Sequence, residues 1–299
     1  MTVPTISIVT PSYNRRAFLV ETMDSVLQQG YPNLEYVVVD GGSTDGSADL
    51  VAERADELAW WVSEPDSGAW AAINKGFAHT TGEVMGWLGS DDLLMPWTLS
   101  ILGEVFATLP ELEWVTTLFP TSTDERGRPV HSHRLDAYSK EAFFRGENLP
   151  HAGWPAAGFI EQEATYWRRS LWERVGGRLD ESLELAADFE LWARFHRSNA
   201  VLYSVPVPLA GFRIHGDQKS GTDLESYVEE ARSVLLRYGG TPPSADAPTL
   251  RRVLERLLPR RVRRRAARVS ERLLVSPPPQ RQGTIVHRGP GRGWRIQDS

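Results

Sequence analysis

Four short runs near the start of the chain are almost unbroken in hydrophobicity: TISIVTP (5–11), LEYVVVD (34–40), AWWVSEP (59–65) and EVMGWLG (83–89). Rich in β-branched and aromatic residues, they predict strands covered on both faces, as in a parallel sheet. Between them AFLVETMDSVLQQ (17–29), SADLVAERADE (47–57) and AWAAINKGFAHT (69–80) repeat apolar residues at helical spacing, with turn residues at their borders. The alternation predicts right-handed crossovers and an open, doubly wound sheet. A helix over 96–109 and a strand EWVTTLF (113–119) continue the pattern.

After Pro120 the rhythm is irregular. TDERGRPV reads as a hairpin turn, AYSKEAFFRGE as a short helix, and EQEATYWRRSLWERVGG as a strand running into a helix. Residues 183–197 predict another helix with carboxylates near its start, YSVPVPLAGFRIH one strand, and SYVEEARSVLLRYGG a closing helix. From TPPSADAP (241–248) the composition shifts to a linker and a basic helical segment ending near 275. Residues 276–299 hold too few apolar groups for their length and predict an unordered tail.

At 299 residues and 41% hydrophobic content, the chain can bury a core without staples. The absence of Cys excludes disulfides, thiolate metal sites and a cysteine nucleophile, and fits a reducing compartment such as the cytoplasm. No apolar run of membrane-spanning length and no leader segment is expected. Residues 251–272 carry ten Arg against two Glu and 273–299 four Arg against one Asp, so the formal charge of −6 leaves −17 on residues 1–250. An acidic body excludes a nucleic-acid surface. In the basic segment Leu250, Val253, Leu254, Leu257 and Leu258 recur at helical spacing among the arginines, which predicts peripheral contact with an anionic bilayer.

In an open parallel sheet, ligands sit beyond the carboxyl ends of the strands. There this chain places TPSYNR, DGGSTDGS, EPDSGAWAAINKG and SDD. Taken singly, DGGSTDGS reads as a turn and helix cap, and the adjacent Asp91 and Asp92 as an acidic helix entry. Together, at matching positions of consecutive strands, the loops predict one site. Asp91 and Asp92 each raise the cost of ionising the other, unless a divalent cation joins them.

ISIVTPSYNR (6–15), EYVVVDGGSTDGS (35–47), SEPDSGAWAAINKG (63–76), GWLGSDD (86–92), the Asp188 and Glu190 pair in AADFELWAR, and FRIHGDQKS (212–220) occur in an order that resembles the inverting glycosyltransferases of family 2. The resemblance covers roughly residues 4–238. It implies a GT-A fold: a single Rossmann-like, mostly parallel sheet flanked by helices over residues 1–240, with the nucleotide-sugar half at 1–120, the acceptor half at 121–240, and the basic helical extension beyond. It implies that the loop of Thr10, Pro11 and Tyr13, with Asp40, holds the base and ribose of a uridine-type nucleotide. Asp66, Asn74 and Lys75 are expected near the ribose, diphosphate or sugar. It further implies that Asp92 binds Mn²⁺ or Mg²⁺, with His215 as a further ligand, that Asp91 reaches the ribose or a metal-bound water, and that Asp188 is the general base. Ala71 and Ser67 depart from the charged residues common at those positions in the family.

The resulting expectation is an inverting sugar transferase that uses a UDP-sugar donor and a glycan or lipid-linked saccharide acceptor in bacterial cell-surface polysaccharide synthesis. It is placed in the cytoplasm, at the inner face of the membrane. A silent carbohydrate-binding protein of the same fold is opposed by the retention of Asp40, Asp91, Asp92 and Asp188 together. A nucleotidyltransferase is opposed by the lack of a glycine-rich basic loop after the first strand. Trp154, Tyr166, Trp167 and Trp172 fall in the acceptor half, where one or two would serve as a sugar platform and the others as core.

Overall fold

In the computed structural model, residues 3–135, 137–149, 158–216, 218, 223–242, 284–288 and 294–298 are described. The apolar runs form β1 (Ile6–Ser12), β2 (Leu34–Asp40), β3 (Trp60–Ser63) and β4 (Val84–Trp87), all mutually parallel, with Ile6 opposite Leu34 and Ser12 opposite Asp40. Successive residues of a strand face opposite ways, and here both faces are covered. Ile6, Ile8, Tyr36 and Val38 pack with α1 (Arg16–Leu27) and α4 (Thr98–Thr108), whereas Val9, Val37 and Val39 pack with α3 (Ala69–Ala78). The helix α2 (Ser47–Glu53) adds Val51 to the first layer. At Gly76 of α3 a Cβ would fall 2.4 Å from Val9 Cγ1, so only glycine lets this helix seat on the sheet.

The remaining strands are β5 (Leu93–Leu94), β6 (Trp114–Thr117), β7 (Thr121–Thr123), β8 (Pro129–Ser132), β9 (Tyr166–Arg168), β10 (Leu202–Val205), β11 (Ala210–Arg213), β12 (Thr284–Arg288) and β13 (Trp294–Asp298). The main sheet runs β13-β12-β10-β6-β9-β4-β1-β2-β3, and β9 is antiparallel to both of its neighbours. A second group of strands, β5-β11-β7-β8, holds the irregular half. The expected single strand YSVPVPLAGFRIH is two, β10 and β11, in different sheets, because Pro206 and Pro208 lack the N–H a continuous ladder needs. The helices α5 (Lys140–Phe144), α6 (Arg169–Arg174), α7 (Ala187–Arg197) and α8 (Leu224–Arg237) complete the body. Tyr166, Trp167 and Trp172 are all core residues, at most 3% exposed, and Trp167 packs its ring against Trp87 and Trp192. Trp154 lies outside the described residues.

Within the expected tail, β12 and β13 instead form an antiparallel pair, and β12 lies parallel to β10. Too few apolar residues for a core of their own suffice for a sheet edge: Val286 and Trp294 are buried, and Glu104 of α4 accepts from Arg288 and the Trp294 indole. The linker from 243 and the basic segment, with the membrane contact expected of it, lie outside the described residues. Among the described residues no helix is long and apolar enough to cross a membrane.

Candidate active site

The carboxyl ends of β1 and β2 are stitched together by polar residues. The Asn14 N–H donates to Ser43 Oγ at 2.8 Å and Asn14 Oδ1 accepts from the Thr44 N–H at 2.9 Å, with Asn14 held at φ 52°. The Arg15 N–H donates to Ser47 Oγ and the Arg16 N–H to Asp45. Asp40 is wholly buried, and its carboxylate accepts from the Gly42 and Ser43 N–H groups, Ser43 Oγ at 2.5 Å and Ser63 Oγ at 2.7 Å. Both of its oxygens are thus engaged within the protein, in shaping the loop. Thr10 is buried against the Tyr36 hydroxyl, 3.0 Å away, while Pro11 is half-buried and Tyr13 stands 62% exposed on the rim. The buried Ser12 hydroxyl, at the end of β1, has no hydrogen-bond partner among the described residues.

After β3, Asp66 accepts from the Gly68 N–H, and its carboxylate lies against Gly41. Asn74 uses both ends of its amide on the segment before α7, donating to Leu179 O and Glu181 and accepting from the Leu179 N–H. Lys75 pairs with Glu64 at 2.8 Å. These two residues, expected at the ligand, are engaged with protein partners.

The loop after β4 carries the two carboxylates. Asp92 is 4% exposed, and burial first, then the negative charges of Asp91 and Glu163, hold its carboxyl well above the usual range. Asp91 Oδ1 and Asp92 Oδ2 converge on Gly89, where a Cβ would lie 3.1 and 2.9 Å from them. Asp91 Oδ2 meets His215 Nε2 at 3.0 Å and Arg15 Nε at 3.3 Å, so the imidazole hydrogen-bonds the first carboxylate of the pair. The wholly buried Arg213 organises this loop: its backbone N–H donates to Asp92 Oδ1, its Nε to Asp91 O at 2.6 Å, and its Nη1 to Glu125 O and Glu21. Among the described residues no three His, Asp or Glu side chains form a ready metal cage. The two convergent carboxylate oxygens beside an imidazole fit a hard cation that draws its other ligands from phosphate and water.

Asp188 sits in the first turn of α7, 4% exposed, and accepts from the Phe189 N–H at 2.7 Å and from the Tyr227 hydroxyl at 3.2 Å. Burial pushes its carboxyl up to about 7, against the opposing effect of those hydrogen bonds. Glu190 is instead a structural partner, paired with Arg194 and accepting from the Tyr238 hydroxyl. Glu161 and Glu163, at and just before the turn 162–164 that packs on β4, β5 and β11, are within electrostatic reach of both Asp188 and Asp92. Glu161 is pushed up to about 7 by burial and feels both Asp92 and Asp188, and Glu163 is raised by burial and by Glu161. Reading the sequence missed Glu161, Glu163, Arg213 and Tyr227. Their only signal was polarity within apolar runs, as in the EQEATYW stretch.

Residues 7–174 match glycosyl transferase family 2. An uncharacterized glycosyltransferase of Rickettsia typhi is 27% identical over 76% of this chain and 69% of its own length. Another, of Mycobacterium tuberculosis, is 38% identical over 64% of this chain and 68% of its own. TuaG of Bacillus subtilis, a glycosyltransferase provisionally ascribed to teichuronic acid biosynthesis, is 41% identical over 30% of this chain and 36% of its own. Among solved structures, S. aureus TarS superposes with a TM-score of 0.58 at 18% identity, over 84% of this chain but only 43% of TarS. Its 1–349 fragment, solved with UDP-GlcNAc, gives 0.58 at 17% over 77% of this chain and 65% of the fragment. The mannosyltransferase PcManGT of Pyrobaculum calidifontis, solved with GDP-Man and Mn²⁺, gives 0.53 at 18% over 93% of this chain and 82% of its own. The shared architecture is the GT-A fold.

Proposed function

This chain belongs to glycosyl transferase family 2, and we propose on that premise that it moves a sugar from a nucleoside diphosphate, a UDP-sugar, to a hydroxyl of a glycan or lipid-linked saccharide with inversion. The carrying observation is the set of acids: a buried carboxyl poised near neutrality at Asp188, linked through the charges of Glu161 and Glu163 to Asp92 in the loop after β4. A base is most effective when its pKa lies near the working pH, and Asp188 meets that condition. The acceptor oxygen bonds to the anomeric carbon as its proton passes to Asp188 and the bond to the diphosphate breaks.

The donor side is the edge formed by the TPSYNR and DGGSTDGS loops, where Tyr13 offers an exposed ring and the buried Ser12 hydroxyl has no partner among the described residues. Asp92, with Asp91 and His215 beside it, would hold Mn²⁺ or Mg²⁺, which when bound supplies positive charge to the leaving diphosphate. Asp40 supports the site by fixing its loop. The UDP-GlcNAc held by TarS and the role ascribed to TuaG support a uridine donor and bacterial cell-surface polysaccharide as the setting. We place the reaction in the cytoplasm, at the inner face of the membrane.

The test is release of nucleoside diphosphate from a panel of nucleotide sugars with Mn²⁺. Turnover should cease with chelator and in Asp188→Asn, while calorimetry of UDP binding to that variant stays unchanged. Undiminished turnover in Asp188→Asn would remove the base from this reading.

A further inference from the structure

The base at Asp188 stands in the first turn of a helix whose own cap is missing. Ala186 occupies the N-cap of α7 and offers no side-chain acceptor; in the first turn the Phe189 N–H is taken by Asp188 itself, and the N–H groups of residues 184–186, which lead into the helix, need an acceptor from another element. The partner comes from α8. Glu230 Oε1 accepts from the Glu184 N–H at 2.7 Å, and Oε2 accepts from Leu185 and Ala186 at 2.8 and 2.7 Å. Three residues earlier on the same helix face, Tyr227 places its hydroxyl 3.2 and 3.4 Å from the two Asp188 oxygens. Its ring is fixed edge-on to Phe159, and α8 is anchored in the core through Ala231, Val234 and Leu235.

Resting on the reading of Asp188 as base, we propose that α8 is the positioning element of the reaction: Tyr227 orients the Asp188 carboxylate, and Glu230 clamps the chain that delivers it. Both residues lie beyond the segment 7–174 that matches the family. The charged and titratable groups facing Asp188 are Tyr227 and Glu230 from α8 and Glu161 and Glu163 from the turn 162–164. The two α8 residues act on the base in opposite directions. The Tyr227 hydrogen bond favours the ionised carboxylate, whereas the Glu230 charge disfavours it.

This opposition supplies a readout that mere loosening of the fold would not produce. In pH profiles of kcat/KM, Tyr227→Phe should move the acid limb upward by about half a unit to one unit. Glu230→Gln should move it downward. It should also lower the plateau kcat about tenfold with donor KM changed less than about twofold, because misplacing a base costs rate rather than donor binding. Glu230→Asp, which keeps the charge, should leave the limb in place, and UDP calorimetry reports whether each variant is folded. Limbs unmoved in folded Tyr227→Phe and Glu230→Gln, or moved in the same direction, would overturn the proposal. Turnover surviving in Asp188→Asn would overturn the base reading instead, so the two failures are told apart.

Discussion

Asp188→Asn should make the protein more stable as it abolishes turnover, and the gain should depend on pH. The wild-type carboxyl is 4% exposed and pushed up to about 7, against an ordinary value of 3.8. A group whose folded-state pKa is raised stabilises the fold fully below its unfolded pKa, and that contribution is lost as pH rises through the folded value. At about 1.4 kcal/mol per unit, ionising Asp188 in place costs about 4 kcal/mol above pH 7. Asparagine keeps the oxygen that accepts from Phe189 and Tyr227 and removes the charge. The variant's advantage in urea unfolding, without nucleotide or metal, should therefore widen by about 2 kcal/mol between pH 5 and pH 7 and then level off. Glu161 feels the Asp188 charge, so its own ionisation becomes easier in the variant and steepens the same trend. Parallel stability curves for the two proteins over pH 5 to 8 would refute the argument, because they would mean that Asp188 titrates as it does in the unfolded chain.

Two further outcomes are expected. Arg213→Met keeps the volume but leaves the Asp91 and Glu125 carbonyls without their donor, at about 1–3 kcal/mol for each group left unsatisfied. Urea unfolding should show a loss of about 3 kcal/mol or more, and a change below about 1 kcal/mol would count against the role given to Arg213; the ion pair to Glu21 adds little because Glu21 is 56% exposed. Replacing Arg260, Arg261, Arg263, Arg264 and Arg265 by Gln should sharply reduce co-sedimentation with anionic vesicles, at ~1 kcal/mol for each basic residue near a membrane surface. Equal sedimentation of the two proteins would reject membrane contact through this segment.

What the sequence made legible followed from periodicity. The runs at β1, β2, β3 and β4 bury both faces, so their pattern survives without knowledge of the partner strands, and the loops after them had to meet at one edge. Asp91 and Asp92 stood out because adjacent acids between apolar runs are costly unless used, whereas Asp188 was singled out by the family resemblance. The direction of the Asp188 shift was not legible, since helix end and burial oppose each other and only the packed structure sets the extent of burial. Asn74 and Lys75 read as ligand contacts because their partners, Leu179, Glu181 and Glu64, come from other turns of the chain. The hairpin of β12 and β13 was hidden for a similar reason: Val286 and Trp294 need only the edge beside β10 and α4, a surface that local composition does not describe.

The acids proposed to serve the reaction also oppose the fold. Asp92, Glu163 and Asp188 are buried, Glu161 is half-buried beside them, and all four are raised, so at neutral pH each proton released inside this cluster weakens the protein. Arg213, a buried cation whose charge favours ionised Asp92, meets that carboxylate through its backbone N–H and directs its guanidinium to Asp91 O, Glu125 O and Glu21. Among the described residues burial outweighs that charge, and Asp92 stays raised. A fold selected for stability alone would replace these residues with amides or apolar groups at little cost to packing. Their presence is best explained by a counter-charge that arrives with the substrates, and stability measured with Mn²⁺ and UDP together should exceed the sum of the gains from either alone.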